Sequence, residues 1–271
     1  MDLGLEGKVA VVTGASLGLG AAIARRLATE GCRLVVLARG KEKLEALRSS
    51  LTGSHASEAI AVCCDVRSRA DTDAAITEIF RQHQRVDILV NNAGNLSTKT
   101  FEEFEDLTDD DFVNTFVLNT VSAARFCRAV LPGMKAAGWG RIINMSSESA
   151  VQPDPIGADY SAAKAALTAL TKSLSKRYGG DGIVCNTVAP ALVMTENVRA
   201  VIEGIASTNA MSFEEAKKAF VSGFRPNIVV GRPGMPEEVA ATVAFLASEH
   251  AAFITGSNVR VDGGSVAAMF G

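Results

Sequence analysis

The chain has 271 residues, 48% of them hydrophobic, with mean hydropathy +0.19, which suffices for a large buried core and excludes a disordered or low-complexity protein. Net charge −3 and pI near 5.7, with the basic residues scattered, give no field for gathering nucleic acid or an anionic membrane surface. The N-terminus MDLGLEGKVAVVTG is unlike a secretory signal, and no apolar run reaches the ~20 residues of a bilayer span, so a soluble cytoplasmic protein is expected.

Short β-branched runs alternate with helical stretches along the whole chain. The first predicted strand, 8–14, runs into TGASLGLG and then into a helix over 18–30. Glycines at such a turn let backbone N–H groups and the positive helix end approach a pyrophosphate. Gly14, Ser16, Leu17, Gly18, Leu19 and Gly20 are therefore candidate cofactor contacts. The spacing is GxxxGxG rather than GxGxxG, and on its own it reads equally as a tight turn.

A second strand over 33–38 ends on Ala38, with Arg39 next and a helix over 41–51. In dinucleotide folds a carboxylate here accepts hydrogen bonds from the ribose 2′-OH, whereas an arginine accommodates a 2′-phosphate. Ala38 and Arg39 thus predict NADP(H). NAD(H) remains the alternative, because the glycine loop carries Leu17 rather than a second basic residue and Arg39 could instead stack over adenine.

The third strand, 59–64, ends in Cys64-Asp65-Val66 before a helix over 68–83, and the fourth, 86–92, leads into Asn92-Ala93-Gly94. Both lie at strand carboxyl ends, where open α/β sheets bind ligands, so Asp65, Val66, Asn92, Ala93 and Gly94 join the cofactor set. A long helix over 108–137 carries Asn119, and the fifth strand, 141–147, ends on Ser147. The next helix, 157–178, contains DYSAAKAAL, which places Tyr160 and Lys164 one turn apart on one face. A cation there favours phenolate and brings the tyrosine pKa down from about 10 toward a useful acid–base range. The alternative is an amphipathic helix body with a solvated lysine tail.

After a sixth strand over 183–189 the rhythm stops for 195–235, where helical pieces at 196–206 and 212–222 suggest a lid or binding loop with Gly204, Gly223 and Gly231 as hinges. A helix over 236–248 and a seventh strand over 258–264 follow. Strands that are almost wholly apolar imply burial on both faces. The expected fold is one α/β domain over 1–271, a doubly wound, Rossmann-type parallel sheet of about seven strands with helices on both faces.

Cys32, Cys63, Cys64, Cys127 and Cys185 are odd in number and lack CxxC spacing, which suggests reduced core thiols rather than disulfides or a metal site. His55, His83 and His250 lie far apart in polar contexts, suggesting surface positions, and no metal is expected.

Taken together, TGASLGLG, CDV, NNAG, Asn119, Ser147 in NMSS, YSAAK at 160–164, Pro190 to Thr195 and the terminal VDGG resemble the short-chain dehydrogenase/reductase family, in general appearance its 3-oxoacyl-carrier-protein-reductase-like members. The resemblance covers residues 5–264 and implies hydride transfer between a nicotinamide and a carbonyl or secondary alcohol. It implies a catalytic tetrad of Asn119, Ser147, Tyr160 and Lys164. Ser147 would hold the substrate oxygen, Tyr160 would pass it a proton, Lys164 would also bind the nicotinamide ribose, and Asn119 would hold a relaying water. Pro190, Val193 and Thr195 would flank the nicotinamide, and Ser147, Glu148, Tyr160 and Leu192 would meet substrate.

Asn95, Leu96, Gln152, Asp154 and 196–228 are further lining candidates; Glu148 could hydrogen-bond a polar substrate, although a glutamate pointing to solvent at a pocket rim is the ordinary expectation. The family's usual Pro-Gly turn is Pro190-Ala191 here, an expected strain of about 1 kcal/mol if that position needs a positive φ. The resemblance also implies a homotetramer, or a dimer, formed through the helices over 108–137 and 157–178 and through the last strand. The competing readings are a catalytically silent dinucleotide sensor or scaffold on the same fold, an NAD-dependent alcohol dehydrogenase, and an enzyme using the cofactor for epimerisation or dehydration.

Overall fold

A computed structural model describes residues 1–52, 58–97 and 99–269, so the expectation for His55 lies outside the described residues. Seven strands form one parallel sheet: β1 (Val9–Thr13), β2 (Arg33–Ala38), β3 (Ala59–Cys63), β4 (Ile88–Asn91), β5 (Gly140–Met145), β6 (Ile183–Pro190) and β7 (Asn258–Val261). Their order is β3-β2-β1-β4-β5-β6-β7. The chain winds outward from β1 on one side and then from β4 on the other, so the carboxyl ends of β1 and β4 part at the switch point where such sheets open a crevice.

Every residue of β1, β4, β5 and β6 is buried, which is why these strands read as apolar runs without alternation. One face is covered by α1 (Gly18–Thr29), α2 (Lys41–Thr52) and α9 (Pro236–Ala247), through Ile23, Leu27, Leu44, Leu51, Val239 and Val243. The other is covered by α3 (Arg69–Gln82) and α5 (Ser122–Ala137), through Ala75, Ile79, Phe126, Val130 and Met134, with α6 (Ala158–Tyr178) beside them. Among the described residues no helix is long and apolar enough to cross a membrane.

The helix expected over 108–137 is interrupted. α4 (Asp109–Phe116), started by a Thr108–Asp111 capping box, passes into a π-helical turn over Val117–Val121 before α5. Asn119 sits in that turn, and π-bulges within helices mark functional positions often enough to attract notice.

The excursion after β6 is helical, with α7 (Glu196–Thr208) and α8 (Phe213–Phe224) close to the expected pieces. Its two ends are pinned together by a bridge between Val193 and Gly234, with Met194 N donating to Gly234 O at 2.8 Å and Gly234 N to Leu192 O at 3.0 Å. Gly204 and Gly223 lie inside α7 and α8, so of the three expected hinges only Gly231, at φ +72°, stands in a loop.

Three other expectations are corrected. His83 is buried rather than superficial: it ends α3 with its N–H donated to Ile79 O, which tucks the imidazole inside. Cys63 is exposed while Cys32, Cys64, Cys127 and Cys185 are buried, because β3 is an edge strand with one face only partly covered. Ala191 is not among the described non-glycine residues with positive φ, so the alanine is accommodated without the expected strain.

Candidate active site

The carboxyl edge of the sheet carries a cleft of about 830 Å³ beside a smaller cavity of about 240 Å³, with Leu96 lining both. The cleft is bounded by Gly14, Ser16, Leu17, Arg39, Asp65, Val66 and the Asn92-Ala93-Gly94 turn, which are residues of the expected cofactor set, and by Ala38. Leu19, Val193 and Thr195 line the cavity together with Ser147, Glu148, Tyr160 and Leu192. Gly18, Gly20, Asn119, Lys164 and Pro190 line neither.

The two halves of the crevice are tied at Thr13. Its Oγ1 accepts from Asn92 N and Ala93 N, both at 3.0 Å, and Asn92 Nδ2 donates to Thr13 O at 3.0 Å and Gly14 O at 3.1 Å. This leaves no room for side chains at the glycines. A Cβ on Gly14, which also has φ +65°, would stand 2.8 Å from Ala93 Cα, and one on Gly20 would collide with Gly14 O.

α6 begins at Gly157 (φ 70°) and presents Tyr160 and Lys164 on one face, with the ammonium 5.6 Å from the phenol ring centroid. Lys164 Nζ donates to Met145 O at 2.8 Å, which anchors it to the end of β5. Ser147, two residues beyond β5, has Oγ accepting from Ser149 N at 3.2 Å and lines the same cavity as Tyr160.

Asn119 completes the group by holding the loop. Its Nδ2 donates to Asn95 O and Thr115 O, both at 3.0 Å, and its Oδ1 accepts from Asn95 N at 3.2 Å. Gly94 sits where these groups converge, since a Cβ there would lie 2.6 Å from Asn119 Oδ1 and 2.9 Å from Lys164 Nζ.

The electrostatics differ from the simple lysine–phenol picture. Burial holds the Tyr160 phenol above its ordinary value; the hydrogen bond to Ser147 opposes this, Glu148 adds to it and Arg225 works against it. Burial also pushes the Lys164 ammonium down to about 8. Tyr160 is therefore a protonated acid near neutrality, and burial, rather than the neighbouring lysine, sets the direction of its shift.

Three cations in or beside these pockets were not singled out by the sequence. Lys43, in the first turn of α2, lines the cleft with Arg39, although the glycine loop lacks a base. Arg67 also lines it and grips Asp65, with Nη2 2.7 Å from Oδ2; that hydrogen bond, helped by the charge of Arg39, holds the Asp65 carboxyl below its usual range. Arg225, just beyond α8, reaches Glu148 Oε1 and Asp154 Oδ2, each at 2.6 Å. A glutamate at the solvent rim was the ordinary expectation for Glu148, but it is only 4% exposed, because the arginine draws it inward. Arg225 gave no local signal beyond being a cation that closes the apolar stretch AFVSGF.

A family model described as short chain dehydrogenase matches residues 8–206. The chain belongs to the short-chain dehydrogenase/reductase family. It is thus an NAD(P)-dependent oxidoreductase acting on CH–OH and C=O groups. Among similar proteins, D-threitol dehydrogenase from Mycolicibacterium smegmatis is 35% identical over 263 residues, covering 97% of this chain and 94% of that one. A 3-oxoacyl-[acyl-carrier-protein] reductase from Pseudomonas aeruginosa is 35% identical over 262 residues, covering 97% and 98%. The crystal structure of L-sorbose reductase from Gluconobacter frateurii, complexed with NADPH and L-sorbose, aligns with TM-score 0.92 and 33% identity, covering 99% of this chain and all of that one.

Proposed function

We propose that this short-chain dehydrogenase/reductase interconverts a small-molecule ketone and its secondary alcohol with NADP(H), using Tyr160 as the acid–base group. Ser147 and Tyr160 lining one cavity at the carboxyl edge of the sheet, with Lys164 one turn from Tyr160 and meeting Asn119 at Gly94, carry this reading. A catalytically silent sensor on the same fold would have no need of a half-buried phenol one turn from a buried ammonium.

The residues present fit the dinucleotide. Gly14 and Gly94 leave space that any Cβ would fill, and Arg39 with Lys43 offers positive charge at the mouth of the cleft. Arg39, with Ala38 in place of an acid, favours the 2′-phosphate of NADP(H), and L-sorbose reductase is a relative solved with NADPH. When bound, NADP(H) supplies or accepts the hydride.

The chain's own groups do the rest. Ser147 Oγ holds and orients the substrate oxygen, and Tyr160 delivers a proton to that oxygen in reduction or removes it in oxidation. Lys164 places positive charge beside both and, with Val193 and Thr195, positions the nicotinamide end. Asn119 fixes the Asn95 loop and the π-turn against Lys164, so it acts by positioning.

The relatives' names span a tetritol, a ketohexose and an acyl-carrier substrate, so they leave the substrate class open. The test is initial-rate oxidation of NADPH and of NADH over a panel of ketones. The expected result is carbonyl-dependent turnover with kcat/KM for NADPH roughly ten- to a hundredfold above that for NADH, the scale of a charge-assisted phosphate contact. A preference for NADH would overturn the cofactor assignment.

A further inference from the structure

Glu148 is the residue immediately after Ser147, is 4% exposed and lines the 240 Å³ cavity beside Tyr160. Its Oε1 accepts from Arg225 Nε at 2.6 Å, while its Oε2 is sealed from solvent with no partner among the described residues. A buried carboxylate oxygen without a donor is costly, and a ligand or an ordered water is the usual resolution. Arg225 makes no second bond to this carboxylate: its other bonds run from Nη2 to Asp154 Oδ2 at 2.6 Å and from Nη1 to Phe224 O at 2.9 Å.

The charges point the same way. Glu148 and Asp154 flank one guanidinium, leaving an excess of one negative charge in a wall that is largely closed to water. That wall repels carboxylate or phosphate substrates and favours neutral hydroxyl donors. Ser147, assigned to the reacting oxygen, and Glu148 line the same cavity, so a substrate held at Ser147 lies within the same small space as the carboxylate.

We propose that Glu148, braced by Arg225 and Asp154, turns its unpartnered oxygen into the cavity when substrate binds and accepts a hydrogen bond from a substrate hydroxyl vicinal to the reacting carbon, and that the substrates are short neutral hydroxyketones and the corresponding polyols. This rests on the reductase reading above. It adds that α8 helps to set specificity, since the side chain that braces Glu148 enters from just beyond that helix.

A four-carbon matched set tests the proposal: L-erythrulose carries the hydroxyl, 2-butanone lacks it and 2-oxobutanoate carries a charge instead. Wild-type kcat/KM is expected to be roughly 10- to 100-fold higher for erythrulose than for butanone, and lowest for the keto acid. Glu148→Leu removes the acceptor and Glu148→Gln removes the charge while keeping the shape. Both should lower kcat/KM for erythrulose mainly through KM, the leucine variant more, while the gap to 2-oxobutanoate narrows. NADPH affinity and circular dichroism establish that both variants are folded.

Wild-type kcat/KM for butanone equal to that for erythrulose, or parallel loss of all three substrates in both variants, would overturn the role of Glu148 and leave the reductase reading standing. If no ketone supports NADPH oxidation, the reductase reading fails instead, and calorimetry of erythrulose on the NADPH-loaded protein decides this inference. Binding lost in Glu148→Leu supports it, and no binding to the wild type refutes it.

Discussion

Tyr160 and Lys164 show how far a four-residue spacing can be read. Their shared helix face was legible in DYSAAK, but the sign of the phenol's pKa shift was not, because it depends on how tightly β5, α6 and Arg225 enclose the pair. With the phenol raised and the ammonium at about 8, both groups hold their protons at neutrality. Reduction is therefore expected to be level around neutrality and to decline as pH rises through about 8, where Lys164 loses its charge, while the oxidation direction gains on the alkaline side. Rate profiles in both directions check this; a reduction rate that keeps rising above that pH would contradict it.

His83 supplies a stability test of the same kind. Burial, aided by Arg33 and opposed by Glu58, lowers its pKa below the ordinary 6.5, and both ring nitrogens lack partners among the described residues. The unfolded chain therefore binds a proton at higher pH than the folded one. Stability held above 6.5 is lost as pH falls through that value toward the lower folded pKa. Melting temperatures should drop more steeply across this window in the wild type than in His83→Phe; parallel curves would remove His83 from the account.

At the level of elements, the alternating strands and helices were legible because a parallel sheet covered on both faces makes its strands apolar end to end. The break at Val117–Val121 was not legible: α4, the π-turn and α5 form one continuous amphipathic pattern, and the extra residue in the turn is absorbed by backbone hydrogen bonds that composition does not reveal. The glycines were only partly legible. Gly14 was read as a phosphate approach, whereas the glycine pressed against the catalytic side chains is Gly94, with Asn119 Oδ1 and Lys164 Nζ on either hand. Gly94→Ala should leave the fold intact and reduce kcat/KM by at least an order of magnitude, the scale expected when a catalytic group is displaced by about an ångström. Activity within threefold of wild type would show that the gap is slack.

On the scale of the whole molecule, long-range pairs were beyond the reach of sequence. Arg225 and Glu148 lie 77 positions apart, and only the path of α7 and α8 over the sheet edge joins them. The same path explains why 195–235 looked like an interruption: its small apolar cluster of Leu192, Val221 and Ile228 packs over the site rather than into the main core. Surface apolar groups suit association. Phe253 is fully exposed and Phe245 partly so near the edge strand β7, and Val113 and Val121 lie exposed along α4 and the π-turn. We propose a homotetramer built on these two surfaces. Light scattering at micromolar concentration should give four times the 28.3 kDa chain mass, and Phe253→Glu should lower it; a monomeric wild type would end the proposal.

The central claim, that a half-buried phenol in a cofactor-holding crevice does the acid–base work, is tested most directly by comparing Tyr160→Phe with wild type in kcat and in NADPH affinity. The substitution removes one oxygen from a side chain that lines the substrate cavity and not the cofactor cleft. The expected result is NADPH binding within a few-fold of wild type and kcat lower by about 10²–10⁴. A Tyr160→Phe enzyme that keeps more than a tenth of wild-type kcat would contradict the account.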